Sequence, residues 1–75
     1  MEISAFLQHF YNILDDTDVK IIKSDTVFRD LDEWDSLIAL SLIAMVDEEY
    51  SVKLTGEDIK SAVTLNDIFE IIKNK

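Results

Sequence analysis

One serine stands where an acidic stretch gives way to a long apolar run, in Phe28-Arg29-Asp30-Leu31-Asp32-Glu33-Trp34-Asp35-Ser36-Leu37. A hydroxyl in the first turn of a helix is exposed, because the backbone has just turned out of the preceding loop. The unpaired N–H groups nearby favour an attached phosphate by ~0.3–1 kcal/mol. Ser36 is therefore suited to carry a phosphodiester. Asp35 can cap the same turn through its carboxylate, while its charge repels the phosphate by on the order of 1 kcal/mol in water. The two effects roughly cancel.

Other chemistry is poorly served. His9 lies on the flank of an apolar stripe, and with no Cys and no second His the chain can assemble neither a zinc site nor a Ser-His dyad. His9 is expected at the surface. Asp30, Asp32 and Asp35 have the flavour of a calcium loop, but Trp34 breaks the alternation, no Gly follows at the sharp turn, and Ser41 stands where the bidentate Glu belongs. No Gly-x-Ser-x-Gly elbow surrounds Ser36, which argues against a small hydrolase.

The elements that must position Ser36 follow from periodicity. Ile3, Phe6, Leu7, Phe10, Ile13 and Leu14 keep the i, i+3, i+4 spacing of one apolar stripe and predict a first helix over residues 2–14. Asp15-Asp16-Thr17-Asp18 ends it, since short polar side chains compete for backbone hydrogen bonds and negative charge is unfavourable at a helix C-terminus. Residues 19–34 mix the anchors Val19, Ile21, Ile22, Val27, Phe28, Leu31 and Trp34 with turn-forming Ser, Thr and Asp, which reads as a long loop pinned to the core. A loop of that length suggests an embedded helical turn or a function at its end. The end is Asp35-Ser36, and Trp34 is expected as a buried lid over the core.

From Ser36 to Tyr50 helix-forming Leu, Ala, Met and Glu predominate, giving the second, central helix. Residues 51–56 break it, and 57–62 form a short third helix with acidic residues at its favourable end. The last helix begins at Thr64, whose spacing to Asp67 fits a capping box, and runs through Leu65, Ile68, Phe69, Ile71 and Ile72 to a basic end. The fold class is all-α: four helices of unequal length, forming a single domain over residues 1–75.

Composition bounds the partners. Of 75 residues, 48% are hydrophobic and 31% charged, a globular balance, and without Cys the packing alone must hold the core. Sixteen acidic against seven basic residues give a net charge of −9, which repels nucleic acid and anionic membrane surfaces and invites basic proteins. Between Arg29 and Lys53 there is no Lys or Arg, so the recognition surface is expected there. Neither a leader pattern nor a membrane-length apolar run is present, from which a soluble, cytoplasmic monomer is expected.

Phe28-Arg29-Asp30-Leu31 followed shortly by Asp-Ser-Leu, then an apolar helix ending in acidic residues and an aromatic, resembles the acyl carrier proteins over essentially the whole chain. The resemblance implies a four-helix bundle with a short third helix and a long first loop. It implies that Ser36 is the covalent attachment site of 4'-phosphopantetheine, that Asp35 is read by the transferase installing that arm, and that Asp47 and Glu48 belong to an acidic helix read by partner enzymes. Phe28 and Leu31 would be structural. The small pair usual before Asp-Ser-Leu in carriers of fatty acid synthesis is replaced by Glu33-Trp34, and the acidic residues usual after the serine are Ile38 and Ser41. On a helical wheel Ala39, Leu42, Ile43, Val46 and Tyr50 share the expected core face, while Leu37, Ile38 and Met45 fall to the side as candidates for an apolar docking patch. Glu49 reads as a solvated helix end.

The implied function is a carrier, not itself an enzyme, that presents acyl thioesters in a dedicated branch of fatty acid, polyketide or related lipid biosynthesis. Its partners would be a phosphopantetheinyl transferase, a loading ligase or acyltransferase, and condensing or other acyl-processing enzymes. Two other functions share the same features: an unmodified acidic adaptor for a basic protein, and an aminoacyl carrier of the peptidyl type.

Overall fold

Apolar spacing and capping chemistry divide residues 2–75, those described by a computed structural model, into four α-helices. These are α1 (Ile3–Asn12), α2 (Ser36–Tyr50), α3 (Gly56–Ser61) and α4 (Leu65–Lys73), with 3-10 turns at Val19–Ile21 and Phe28–Asp30 inside the first loop. This is the bundle with a short third helix and a long first loop implied by the sequence, and the loop contains the helical turns its length called for. The α-helical geometry of α1 stops at Asn12 because Ile13 and Leu14 donate to Phe10 and Tyr11 in tighter three-residue turns, at 3.1 and 3.0 Å. Both side chains still pack on the core.

The helix starts are chemically explicit. Thr64 and Asp67 form the capping box expected for α4, and Asp67 also accepts from the Val63 N–H at 2.9 Å. Thr55 and Asp58 form a second box, which starts α3 at Gly56, one residue earlier than expected, and the helix ends at Ser61. The first loop supplies what α4 lacks: the Leu65 and Asn66 N–H groups donate to the carbonyls of Thr26 and Ser24 at 3.0 and 2.9 Å. Those are two of the donors that every helix start leaves unpaired.

Phe6 and Phe10 of α1, Phe28 of the loop, Leu42 and Val46 of α2, and Leu65, Ile68 and Ile72 of α4 are the fully buried centre. Each such side chain contributes about 1.5–3 kcal/mol by leaving water. The Phe28 position matters for the site, because it anchors the loop that ends at Ser36. Trp34 meets Phe28 edge-on with ring centroids 4.8 Å apart, and is a half-buried flank rather than a fully buried lid.

Three expectations need correction. Met45 is only 8% exposed and belongs to the core, so it offers no docking surface. With a helical residue advancing by about 100°, the buried side of α2 centres on Leu42 and lies about 60° from the face expected. Ala39, Ile43 and Tyr50 consequently pack at the margin of the core, half-buried. His9 is not a free surface residue: its ring meets Tyr50 edge-on at 5.9 Å, and its Nε2 lies 3.7 Å from the Glu49 carboxylate. Glu49 is exposed, as expected of a solvated helix end, and its carboxylate also lies beside α1.

Candidate functional site

Ser36 is the first residue of α2 and is exposed. Asp35 precedes it in extended backbone, and its Oδ1 accepts from the Ile38 N–H at 2.9 Å while its carbonyl accepts from Ala39 at 3.0 Å. With Ile38 satisfied by the cap, helical geometry leaves the N–H groups of Ser36 and Leu37 without intrahelical acceptors. They sit beside the Ser36 hydroxyl at the positive end of a helix of 15 residues. An accessible hydroxyl with donors and a helix dipole behind it fits a phosphodiester.

The segment leading into Ser36 is fastened at two points, both within the Glu33-Trp34 pair. The Glu33 carboxylate accepts from the Asp15 and Asp16 N–H groups, each at 2.7 Å, and from the Thr17 hydroxyl at 2.6 Å. These bonds, the Thr17 hydroxyl foremost, lower its pKa from 4.5 to about 2, so it is ionised across the physiological range. They tie the segment after α1 to the entrance of α2. The clamp also walls a surface cavity of about 310 Å³ that is lined by Asp16, Asp18, Asp30 and Asp32 together with Ile21 and Leu31. Among the described residues no cluster of three acidic, His or Cys side chains is arranged to hold a metal.

On the other side Trp34 leans on Phe28, and the Arg29 guanidinium lies 4.9 Å from the centre of the Phe28 ring. Arg29 donates to the carbonyls of Ile59, at 3.0 Å, and of Ala62, the final turn of α3. The Ile59 carbonyl also accepts from the Ala62 N–H at 3.2 Å, and a cation beside the last carbonyls of α3 complements its dipole. Asp58, at the opposite end of α3, also pairs with Lys75 at 2.9 Å.

Along α2, Leu37 and Leu40 are 68% and 62% exposed, and Ala44, Asp47 and Glu48 are exposed as well. Their spacing places them on the side opposite Leu42, in line below Ser36. Ile38 is half-buried. Asp47 pairs with Lys53 at 2.9 Å, whereas Glu48 carries its charge at the outer end of the stripe. Leu40 was absent from the sequence-based candidates, although it stands one helical turn from both Ser36 and Leu37.

The family model for the phosphopantetheine attachment site matches residues 5–72 of the chain. The chain belongs to this family. No curated protein and no solved structure matches it significantly. Membership makes it a carrier protein whose cofactor is 4'-phosphopantetheine, bound covalently through a serine, and whose general partners are phosphopantetheinyl transferases and acyl-processing enzymes. The bundle is of the acyl carrier type. No helix among the described residues is long and apolar enough to cross a membrane.

Proposed function

We propose that Ser36 is the serine that carries the arm, and that the protein presents acyl thioesters to the enzymes of a specialised fatty acid, polyketide or related lipid pathway in the cytoplasm. The observation that supports it is the exposed hydroxyl on the first residue of α2, with Asp35 satisfying the Ile38 N–H and the Ser36 and Leu37 N–H groups left without intrahelical acceptors. In loading, the Ser36 oxygen bonds to phosphorus, the bond from that phosphorus to the nucleotide of coenzyme A breaks, and the transferase takes the hydroxyl proton. Once attached, the arm supplies a thiol for thioester chemistry. This chain's own residues hold the attachment point and contribute no catalytic group.

Partner enzymes would approach along the outward face of α2, touching Asp35, Leu37 and Leu40 near the arm and Glu48 and Asp47 farther along. Ile38 and Ser41 stand where a carrier of general fatty acid synthesis usually has acidic residues, and this loss of charge near the arm supports dedicated partners. Ile38 contributes through its half-buried flank.

Incubation with coenzyme A, magnesium and a broad-specificity phosphopantetheinyl transferase, followed by intact mass measurement, tests the assignment. The wild-type chain gains one phosphopantetheinyl group and folded Ser36→Ala gains none. A folded wild-type chain that gains no mass would favour an acidic adaptor instead.

A further inference from the structure

Glu33 and Trp34 occupy the place where this chain departs most visibly from carriers of general fatty acid synthesis, and attachment at Ser36 does not by itself require either. We propose that Glu33 is a positioning residue for modification at Ser36: its carboxylate clamps Asp15, Asp16 and Thr17 to the entrance of α2 and presets the loop that the transferase must grip. The inference rests on the assignment of Ser36 as the attachment site. Three donors converge on one side chain at 2.6–2.7 Å, from residues 16 to 18 positions away in sequence. The bonds join exposed Asp15 and Asp16 and half-buried Thr17 to half-buried Glu33, and none of these residues belongs to the buried core. Such a clamp restrains a loop more than it stabilises a bundle.

The physical consequence is entropic. A transferase binding a loop already in its final shape does not have to order it, and loop ordering otherwise subtracts directly from affinity. The hydroxyl chemistry itself would be unaffected, so release of the clamp should appear in KM and spare kcat. Trp34 directly follows Glu33 and is the only Trp in the chain, so its emission reports the loop. Asp67 provides a matched control, because its carboxylate likewise accepts from two backbone N–H groups, those of Val63 and Thr64 at 2.9 and 3.0 Å, at the start of α4.

The test measures the rate of mass gain at Ser36 against carrier concentration, using the full chain, coenzyme A, magnesium and a phosphopantetheinyl transferase. Glu33→Gln should raise KM about tenfold with kcat within about twofold, as expected when binding must order a loop. Thr17→Val should raise KM less and add nothing in the Glu33→Gln background, because both act on one clamp. Asp67→Asn should lower the urea midpoint yet leave KM unchanged. Trp34 emission should shift to the red in Glu33→Gln, before any coenzyme A is added, and stay put in Asp67→Asn.

An unchanged KM in Glu33→Gln overturns the proposal, and so does a rise in Asp67→Asn that matches its loss of stability. Thr17→Val carries the same test if Glu33→Gln does not fold. A wild-type chain that gains no mass sinks the Ser36 assignment instead, and an unshifted Trp34 emission in Glu33→Gln would then overturn the clamp on its own.

Discussion

Asp35 combines two opposed effects that substitution can separate. Its Oδ1 holds the Ile38 N–H at 2.9 Å, so Asp35→Ala leaves that donor to water and should cost about 1 kcal/mol, within a usual range of about 0.5–2. For a chain of 75 residues this lowers the melting temperature by about 4–8 °C. Asn is as good a cap, so Asp35→Asn should lose only the charge–dipole part, about 0.3–1 kcal/mol. Attachment of a phosphodiester to Ser36 changes the sign of that charge's contribution. At a separation of ~4 Å in water, the carboxylate and phosphate repel by about 1 kcal/mol, offsetting the ~0.3–1 kcal/mol the phosphate gains from the helix dipole. Modification should therefore leave the wild-type melting temperature nearly unchanged and raise that of Asp35→Asn. Calorimetry of both proteins before and after modification measures this, and 1 M salt should narrow the gap because exposed charges are then screened within about 3 Å. Asn melting as low as Ala would refute the cap. Equal responses of both proteins to modification would refute the electrostatic balance.

Tyr50 places a hydroxyl in the interior without a hydrogen-bond partner among the described residues, and burial, followed by the charge of Glu49, raises its pKa. Tyr50→Phe should stabilise the fold by about 1 kcal/mol, read from urea unfolding, since an unpaired buried polar group costs about 1–3 kcal/mol; a loss instead would mean that the hydroxyl has a partner. Acid should weaken the protein in a defined window. Glu33 is lowered from 4.5 to about 2 by its hydrogen bonds, Asp58 is lowered from 3.8 by Lys75 and Thr55, and Asp67 is lowered from 3.8 by the Thr64 and Val63 N–H groups. A depressed carboxylate stabilises the fold fully above its unfolded value and loses that contribution as pH falls through its folded one. The urea midpoint should therefore hold level from neutrality to about pH 5 and fall toward pH 2, less steeply in Glu33→Gln; identical acid limbs would contradict the clamp. Finally, Leu40→Glu should change stability by less than about 0.5 kcal/mol while weakening acyl transfer from the partner enzymes, whereas Met45→Ala should cost about 2–5 kcal/mol. Equal destabilisation by the two would show that Leu40 is packed rather than presented.

The parts of the fold that were legible in the sequence are those with local chemistry. Asp35 and Tyr50 bracket α2 as read, and Thr64 with Asp67 announces α4 within four residues of chain. The same Thr-x-x-Asp pattern at Thr55 and Asp58 was overlooked because Gly56 reads as a breaker, although a first helical position tolerates it. The first loop was legible only as pinned. Its pins are the bonds from Leu65 and Asn66 to Thr26 and Ser24, from Arg29 to Ile59 and Ala62, and from Glu33 to the segment after α1. Each joins residues too far apart in sequence for any periodic pattern to reveal.

The misplaced face of α2 has a different origin. Leu37, Ile38, Leu40, Leu42, Ile43 and Met45 surround the helix axis, so hydrophobicity alone cannot say which side meets α1 and α4. A helix that only packed would carry polar residues opposite Leu42. Leu37, Leu40 and Ala44 stand there beside Asp47 and Glu48, and exposed apolar residues in line with Ser36 suit the proposed use of this outer face by partner proteins. The ambiguity that rotated the predicted core is therefore what the proposed two-sided use of this helix would produce. Met45 and Leu40 exchange roles for one reason: tertiary packing chooses the inner face, and the apolar surface that remains exposed is the face proposed for partners.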